Sequence, residues 1–377
     1  MRDKIKIGLL GFGAMGRTHS YAVSTLDHYC ENLPFKAEIA GLYSRTREKT
    51  IAAVETFRFG RAAMSEDELI YDPDIDVIDI CTPNVCHYET LKKAIAAGKD
   101  VYCEKPLCIS RTQADEIAQL AAEKNIVGGI VFNNRFLPAT LRAKTLVDEG
   151  RIGRVLSFRA RYLHSGCASP DAPLAWKQSR DICGGGVLFD LGSHIIDLLV
   201  WLCGGIASVS AKTQIAYPLR RGQDGKLHPV TGDEAFYMLA TLENGACGTL
   251  EGSKISTGTN DELSIEIHGE RGALKFDLTE PNWLWFYDVT KPSVPFGGER
   301  GFTRIECIGR YEAPAGGFPS PKASIGWLRG HVMSMCSFLS AVHARSRFSP
   351  SIEDGAYVQR VMEAAYHSDE TGKWVDI

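Results

Sequence analysis

The stretch "GGGVLFDLGSHIID", residues 184–197, sets three glycines ahead of an Asp, a His and a second Asp. Asp190 and His194 are four residues apart and His194 and Asp197 three, so a regular helix would place all three on one face. Val187, Leu188, Leu191, Ile195 and Ile196 between them are apolar enough to be buried. A polar stripe in such a helix is either a satisfied core network or a proton-handling apparatus. Oxidising an alcohol needs a base within reach of the hydroxyl and a donor that stabilises the developing alkoxide. An imidazole has the right intrinsic pKa for the base, which points to His194. Asp190, one turn away, can orient that ring or bind a neighbouring hydroxyl. Asp197 is either support behind His194 or a helix charge paired locally. His194, Asp197 and His87 also admit a metal reading, but no second His at i+4 and no Cys pair supports it, and no metal is expected.

A hydride acceptor is encoded at the other end of the chain. "IKIGLLGFGAMGRTH" carries Gly11-x-Gly13-x-x-Gly16 directly after a strand and opening a helix, with Phe12, Ala14 and Met15 between the glycines. Gly11 permits the tight turn, Gly13 lets phosphates approach the backbone, and Gly16 lets helix and strand pack closely. The pyrophosphate would sit on the helix N-terminus, where free N–H groups and the dipole favour an anion. The second strand runs into "AGLYSRTREK", with Ser44 and Arg45 where an NAD-specific site usually places an acid, and with Arg47 and Lys49 nearby. A hydroxyl and a guanidinium suit a 2′-phosphate. Stacking of Arg45 on the adenine of either cofactor is the alternative. The expectation is NAD(H) or NADP(H), leaning to tolerance of NADP.

The elements that must position these groups fall into two domains, as 377 residues would suggest. Apolar runs Ile5–Leu10, Ala37–Leu42, Val77–Cys81, Asp100–Cys103 and Ile126–Phe132 alternate with helical stretches such as Glu89–Ala97 and Thr112–Lys124. That alternation predicts right-handed βαβ units on a parallel sheet, a Rossmann domain over 1–134. Beyond it Val155–Leu163, Ser208–Ala216, Ala235–Leu242, Ala246–Ser253, Leu263–His268 and Ala273–Asp277 alternate in polarity, with "ENGACG" and "HGERGA" as tight turns. Residues 135–377 therefore read as an α+β substrate and oligomerisation domain with a large, mostly antiparallel open sheet. Its C-terminal helices, His331–Arg345 among them, are free to return to the first domain. Residues 286–326, rich in Gly and Pro, read as a long excursion rather than core.

Composition excludes several classes. A hydrophobic share of 44%, a charged share of 23% and a net charge of −4 describe a globular chain with no footprint for nucleic acid. No segment approaches the about 18 uninterrupted apolar residues of a membrane span. Eleven cysteines with no CxxC pair read as free, mostly buried thiols of a cytoplasmic protein.

"CTPNVCH" (81–87) and "CEKP" (103–106), with the GxGxxG ahead and "GGGxxxDxxxH" behind, resemble the Gfo/Idh/MocA oxidoreductases, which include inositol dehydrogenases and glucose–fructose oxidoreductase. The tail "PSIEDGAYVQRVMEAAYHSDETGKWV" is similar too, so the likeness covers nearly the whole chain. The resemblance implies that Thr82, Pro83, Asn84 and His87 line the cofactor, that Glu104 and Lys105 stand beside the nicotinamide, and that Asn133 lies near the last strand's end. It implies a cis Lys105–Pro106 bond and a catalytic triad of Lys105, Asp190 and His194, with Lys105 donating to the oxygen that His194 deprotonates. Gly184–Gly186 would let backbone approach the cofactor and free the loop to move. The loop leading to them offers Tyr162, His164, Trp176, Lys177 and Arg180 to a sugar, and "NNRF" offers Arg135. The implied enzyme moves a hydride between nicotinamide and a secondary hydroxyl of a sugar, glycoside or cyclitol, as a homodimer or homotetramer joined through the sheet. Two alternatives are a glycoside hydrolase or epimerase that works by transient oxidation with tightly held NAD(H), and a regulator that uses the Rossmann domain as a redox sensor.

Overall fold

The computed structural model describes residues 3–308, 311 and 318–377. The chain forms two compact units: 1–136 with 309–357, and 137–308 with 358–377. The first break falls beside the expected 134. Residues 309–357 cluster with the first unit, the return to the first domain that the expectation left open to the C-terminal helices.

In the first unit five parallel strands, β1 (Lys4–Leu10), β2 (Lys36–Tyr43), β3 (Val77–Ile80), β4 (Asp100–Cys103) and β5 (Gly128–Ile130), lie in the order β2-β1-β3-β4-β5. Every residue of β3 and β4 is buried, as in a parallel sheet covered on both faces. Order reverses between β1 and β3, and a ligand crevice is expected outside their carboxyl ends. Helix Ala14–Tyr29 follows β1, and helix Asn84–Ala96 follows β3, beginning ahead of the expected Glu89. Helix Trp327–Ala344 brings Phe338 to 4.7 Å from the Tyr102 ring and Ser334 Oγ to 2.7 Å from the Tyr102 hydroxyl.

The second unit is built on nine strands. They are β6 (Val155–Leu163), β7 (Ile206–Gln214), β10 (Ala235–Leu242), β11 (Cys247–Ser253), β12 (Glu262–Gly269), β13 (Gly272–Asp277), β14 (Trp283–Asp288), β15 (Phe302–Glu306) and β16 (Val375–Asp376), with a separate hairpin of β8 (Leu219–Arg221) and β9 (Leu227–Pro229). The order is β15-β14-β13-β12-β6-β11-β10-β7-β16, antiparallel except between β6 and β11. Phe158, Ala160, Phe236, Met238, Ile265 and Ile267 are buried on one face, where β6 and β12 pack against helix Ser193–Cys203. The other exposes Leu156, Tyr237, Leu239 and Trp285. The excursion expected over 286–326 is corrected in part: it contains the end of β14 and all of β15, which add to the sheet because Leu284 and Phe286 are buried on its inner face.

The helix over 184–197 also differs from expectation. Leu188–Gly192 is a π turn, and the regular helix begins at Ser193. The wider turn changes the angle between Asp190 and His194 from that of ideal α spacing, a feature common at functional sites. Arg180–Cys203 is long and apolar enough to cross a membrane, yet 72 % of its most apolar window is buried inside the protein.

Candidate functional site

In the first unit the glycines do what their spacing implied. Gly11 has φ +93°, and a Cβ there would lie 2.5 Å from the Cys81 carbonyl oxygen; one on Gly16 would lie 2.2 Å from the oxygen of Gly11. Gly13 is different: a Cβ there would meet nothing within 4 Å. Gly13 begins helix Ala14–Tyr29 without a side-chain cap, so the helix N-terminus opens onto space. Thr82, at the end of β3, has a buried Oγ1 with no protein partner among the described residues. An open cradle, an uncapped helix and an orphan hydroxyl fit a dinucleotide phosphate. Phe12, in the same turn, has its ring edge-on to Phe57 at 5.4 Å and Phe59 at 5.7 Å, Ala14 and Met15 open the helix, and Pro83 begins helix Asn84–Ala96.

Several expected cofactor contacts are placed otherwise. His87 is fully buried, its ring nitrogens 2.9 Å from the Pro106 carbonyl and 3.0 Å from that of Thr82. Burial pushes its pKa down. His87 therefore ties the Thr82 turn to the Lys105–Pro106 turn instead of facing a ligand, which corrects the lining role. That Lys105–Pro106 bond is cis. Ser44 Oγ is 2.6 Å from Thr50 Oγ1, while Arg45 beside it is exposed. Asn133 is buried and donates to Asn134 at 3.4 Å. Arg135 is corrected as a substrate contact: it is 4 % exposed, donates to Ser349 at 3.0 Å and lies 3.5 Å from Asp354.

Beneath this turn lies a charge cluster absent from the sequence reading. His19 is buried between Asp79, at 2.8 Å, and Glu104, at 3.1 Å, with Cys81 Sγ 3.2 Å from the same nitrogen that meets Asp79. Burial would strip the imidazole of its proton, but the charge and hydrogen bond of Asp79, with the Cys81 thiol in contact, outweigh it and raise the His19 pKa. Glu104, also penalised by burial, is drawn down to about 2 by the hydrogen bond and charge of His19 and by Lys105. Its other oxygen accepts from the Lys105 backbone N–H at 3.2 Å. An imidazolium between two carboxylates thus holds the backbone from which the Lys105 side chain projects. The donor atoms of His19, Asp79 and Cys81 fall within 4.8 Å of one another, a spacing a metal could use, though here they bond to each other. The signal for His19 was present: Gly16, His19, Ser20 and Val23 follow helical periodicity and are all buried.

In the second unit Gly185 and Gly186 have a different purpose from the expected mobility. A Cβ on Gly185 would lie 2.3 Å from the Tyr366 hydroxyl, and one on Gly186 would lie 2.1 Å from the Asp233 carbonyl oxygen. The Asp233 carboxylate accepts from the backbone N–H of Gly186 and of Leu188, both at 2.9 Å, and from the Tyr366 hydroxyl. A buried acid thus caps the helical stretch, and the glycines exist because nothing larger fits. The turn is fixed, not freed.

Asp190 follows. Lys177 Nζ lies 2.8 and 3.1 Å from its two oxygens, and Lys254 Nζ 2.6 Å from one of them. Lys254, just past β11, sits in no motif, so nothing in the sequence singled it out. His194 is half-buried on a helix whose neighbouring residues Ser193, Ile195, Ile196 and Asp197 are buried. Its ring meets the Tyr162 ring edge-on at 5.9 Å. The Tyr162 hydroxyl donates to Asp261 at 2.6 Å, and His164 Nε2 lies 3.0 Å from the same oxygen. The bond from His164 holds the Asp261 carboxyl below its usual range. Trp176 is 46 % exposed with Lys177 over its face, and Arg180 stacks on Tyr366 at 4.6 Å. An exposed aromatic face, an acid held by two ammonium groups and a part-open imidazole can together bind a polyhydroxylated ring and accept a proton.

Comparison with known proteins gives the family. Residues 5–131 match the NAD-binding Rossmann fold of an oxidoreductase family, and residues 144–377 match its C-terminal alpha/beta domain. Levoglucosan dehydrogenase of Pseudarthrobacter phenanthrenivorans is 31% identical over 395 aligned positions, covering 100% of this chain and 98% of that enzyme. The structure of a levoglucosan dehydrogenase in complex with NADH and levoglucosan superposes with a TM-score of 0.94, at 31% identity and 99% coverage of each chain. An oxidoreductase domain protein from Kribbella flavida superposes at 0.95 with 33% identity, covering 100% of both. Two matched domains in order, over almost every residue, leave one reading of ancestry: the chain belongs to the Gfo/Idh/MocA family of oxidoreductases.

Proposed function

We propose that this enzyme is an NAD-dependent dehydrogenase that oxidises a secondary hydroxyl of a sugar or anhydrosugar, with His194 as the proton acceptor. The observation that supports it most is the pairing of a part-open His194 with an Asp190 fixed by Lys177 and Lys254 on one helical stretch. The match to a levoglucosan dehydrogenase along the whole chain supports the substrate class.

The dinucleotide, when bound, supplies the hydride acceptor. Gly11, Gly13, Gly16 and Thr82 would hold it through the helix N-terminus and the orphan hydroxyl. His194 takes the hydroxyl proton. Lys105 donates to the same oxygen, and the resemblance is what assigns it there. Asp190 accepts from a neighbouring hydroxyl, its orientation set by two lysines. Ser44 and the exposed Arg45 leave room for a 2′-phosphate, so we extend the proposal to use of NADP alongside NAD. The exposed apolar residues of the large sheet are the proposed surface of a homodimer or homotetramer, which a monomer by light scattering would contradict. The expected compartment is the cytoplasm.

The test is incubation of purified protein with NAD or NADP and a panel of anhydrosugars, aldoses and cyclitols, read by reduced-nucleotide absorbance. Reduction dependent on one class of sugar is expected. Sugar conversion with no change in free nucleotide would favour redox-assisted hydrolysis or epimerisation and sink the dehydrogenase reading.

A further inference from the structure

Cys30 and Cys336 take no part in the chemistry above. Cys30 closes the C-terminal end of helix Ala14–Tyr29, the helix that carries Gly16 and His19, and Cys336 lies in the middle of helix Trp327–Ala344. Their sulfur atoms are 2.8 Å apart, and both residues are buried, at 2 % and 4 % exposure. A disulfide needs about 2.05 Å between sulfurs, so a movement of under ~1 Å separates contact from bond. Among the described cysteines all are free thiols, and Cys86 and Cys247 are the exposed ones.

The surroundings favour reaction at Cys30. The hydrogen bond with Cys336 and the charge of Arg329 pull its thiol below the ordinary range against the effect of burial, while Cys336 is pushed up. Arg329 is itself buried, its guanidinium 3.9 Å from the Tyr29 ring centroid. Two buried thiols in contact, one of them eased toward its thiolate, are the arrangement of an attacking cysteine and its resolving partner. Access comes from the helix end: the exposed Glu31 and Asn32 follow Cys30, Asn32 has φ 57°, and the last turn of a helix opens more readily than its middle.

We propose that Cys30 and Cys336 form a redox-active dithiol whose oxidant is a hydroperoxide, and whose oxidised form ties the dinucleotide-loop helix to helix Trp327–Ala344. The Cys30 thiolate attacks the peroxide, breaking its O–O bond to give a sulfenic acid and, after protonation, water. The Cys336 sulfur then attacks the sulfenic sulfur, losing its proton and releasing a second water. Two thiols and one hydrogen peroxide become one disulfide and two waters.

Tryptic peptides 18–36 and 330–345 each contain a single cysteine, which makes the test direct. The full-length protein, its thiols unmodified, is exposed to hydrogen peroxide, then denatured, alkylated and digested without reductant. The expected product is peptide 18–36 joined to 330–345, two hydrogens lighter than their sum and separated by dithiothreitol. In a Cys336→Ser variant, Cys30 is expected to appear instead as a dimedone adduct. Recovery of the wild-type peptides separately alkylated would overturn the dithiol. A crosslink in the wild type without dimedone labelling of the variant would overturn Cys30 as the attacking thiol.

Discussion

Each unit holds a cluster in which carboxylates meet cations, and the two differ in water. In the first, His19, Asp79 and Glu104 are 1 %, 1 % and 7 % exposed. In the second, the side chains of Asp190 and Lys254 are each 14 % exposed and that of Lys177 is 44 %. A dry cluster cannot trade partners, because leaving one charge unpaired in a low-dielectric interior costs several kcal/mol. A wet one can, since water or a substrate hydroxyl replaces what leaves. The first therefore fixes the backbone ahead of Lys105, and the second is suited to receive a ligand. Similar residue types serve scaffold in one place and chemistry in the other, and burial distinguishes them.

The contrast can be broken first at His194. His194→Ala is expected to lower kcat by roughly two to four orders of magnitude, the usual reach of general acid–base help, with NADH affinity by fluorescence titration unchanged. Asp79→Ala in the dry cluster should instead cost about 3–5 kcal/mol of stability in urea melts, because it leaves a buried imidazolium half-paired. Equal stability losses from Asp79→Ala and Lys254→Met would erase the distinction.

The dry cluster should also write itself into the pH dependence of stability. Glu104 falls from an ordinary value near 4.5 to about 2 on folding, so its contribution, on the order of 3 kcal/mol, is complete above pH 4.5 and lost as pH falls toward 2. His19 is raised, so its contribution is complete below its ordinary 6.5 and lost as pH climbs through the folded value. Their joint support is thus full between those limits, and Glu104→Gln should flatten the acid limb of thermal melts followed against pH.

Smaller effects sharpen the wet side. Lys254→Met removes a charge-assisted bond to Asp190 and is expected to lower kcat/KM for sugar by roughly 10- to 100-fold, with little change in melting temperature. Arg45→Ala should lower kcat/KM for NADP by about three- to tenfold and leave NAD nearly untouched, as a lost exposed phosphate contact would.

Much of this was legible in the sequence, and the failures have a common cause. The alternation of runs gave the parallel sheet, and GxGxxG gave Gly11 and Gly16 their contacts, because backbone geometry there admits few residue types. His19 lies on a buried helical face, but its partners Asp79 and Glu104 stand 60 and 85 residues away, and no local pattern encodes those meetings. Lys254 lacked a motif, and its approach to Asp190 depends on where β11 ends. Arg135 and His87 went the other way: polar residues inside recognisable motifs, they proved to be satisfied by groups close in space and distant in sequence. Gly185 and Gly186 were read for freedom when crowding by Tyr366 and Asp233 explains them.

Hydride exchange between a sugar and nicotinamide is the claim on which the account stands, and an isotope tests it most directly. The best substrate from the sugar panel, uniformly deuterated on carbon, is incubated with the enzyme and unlabelled NAD, and the nucleotide is analysed by mass spectrometry. One deuterium at C4 of the nicotinamide is the predicted result. Unlabelled NADH, or sugar turned over with the nucleotide still oxidised and unlabelled, would contradict it.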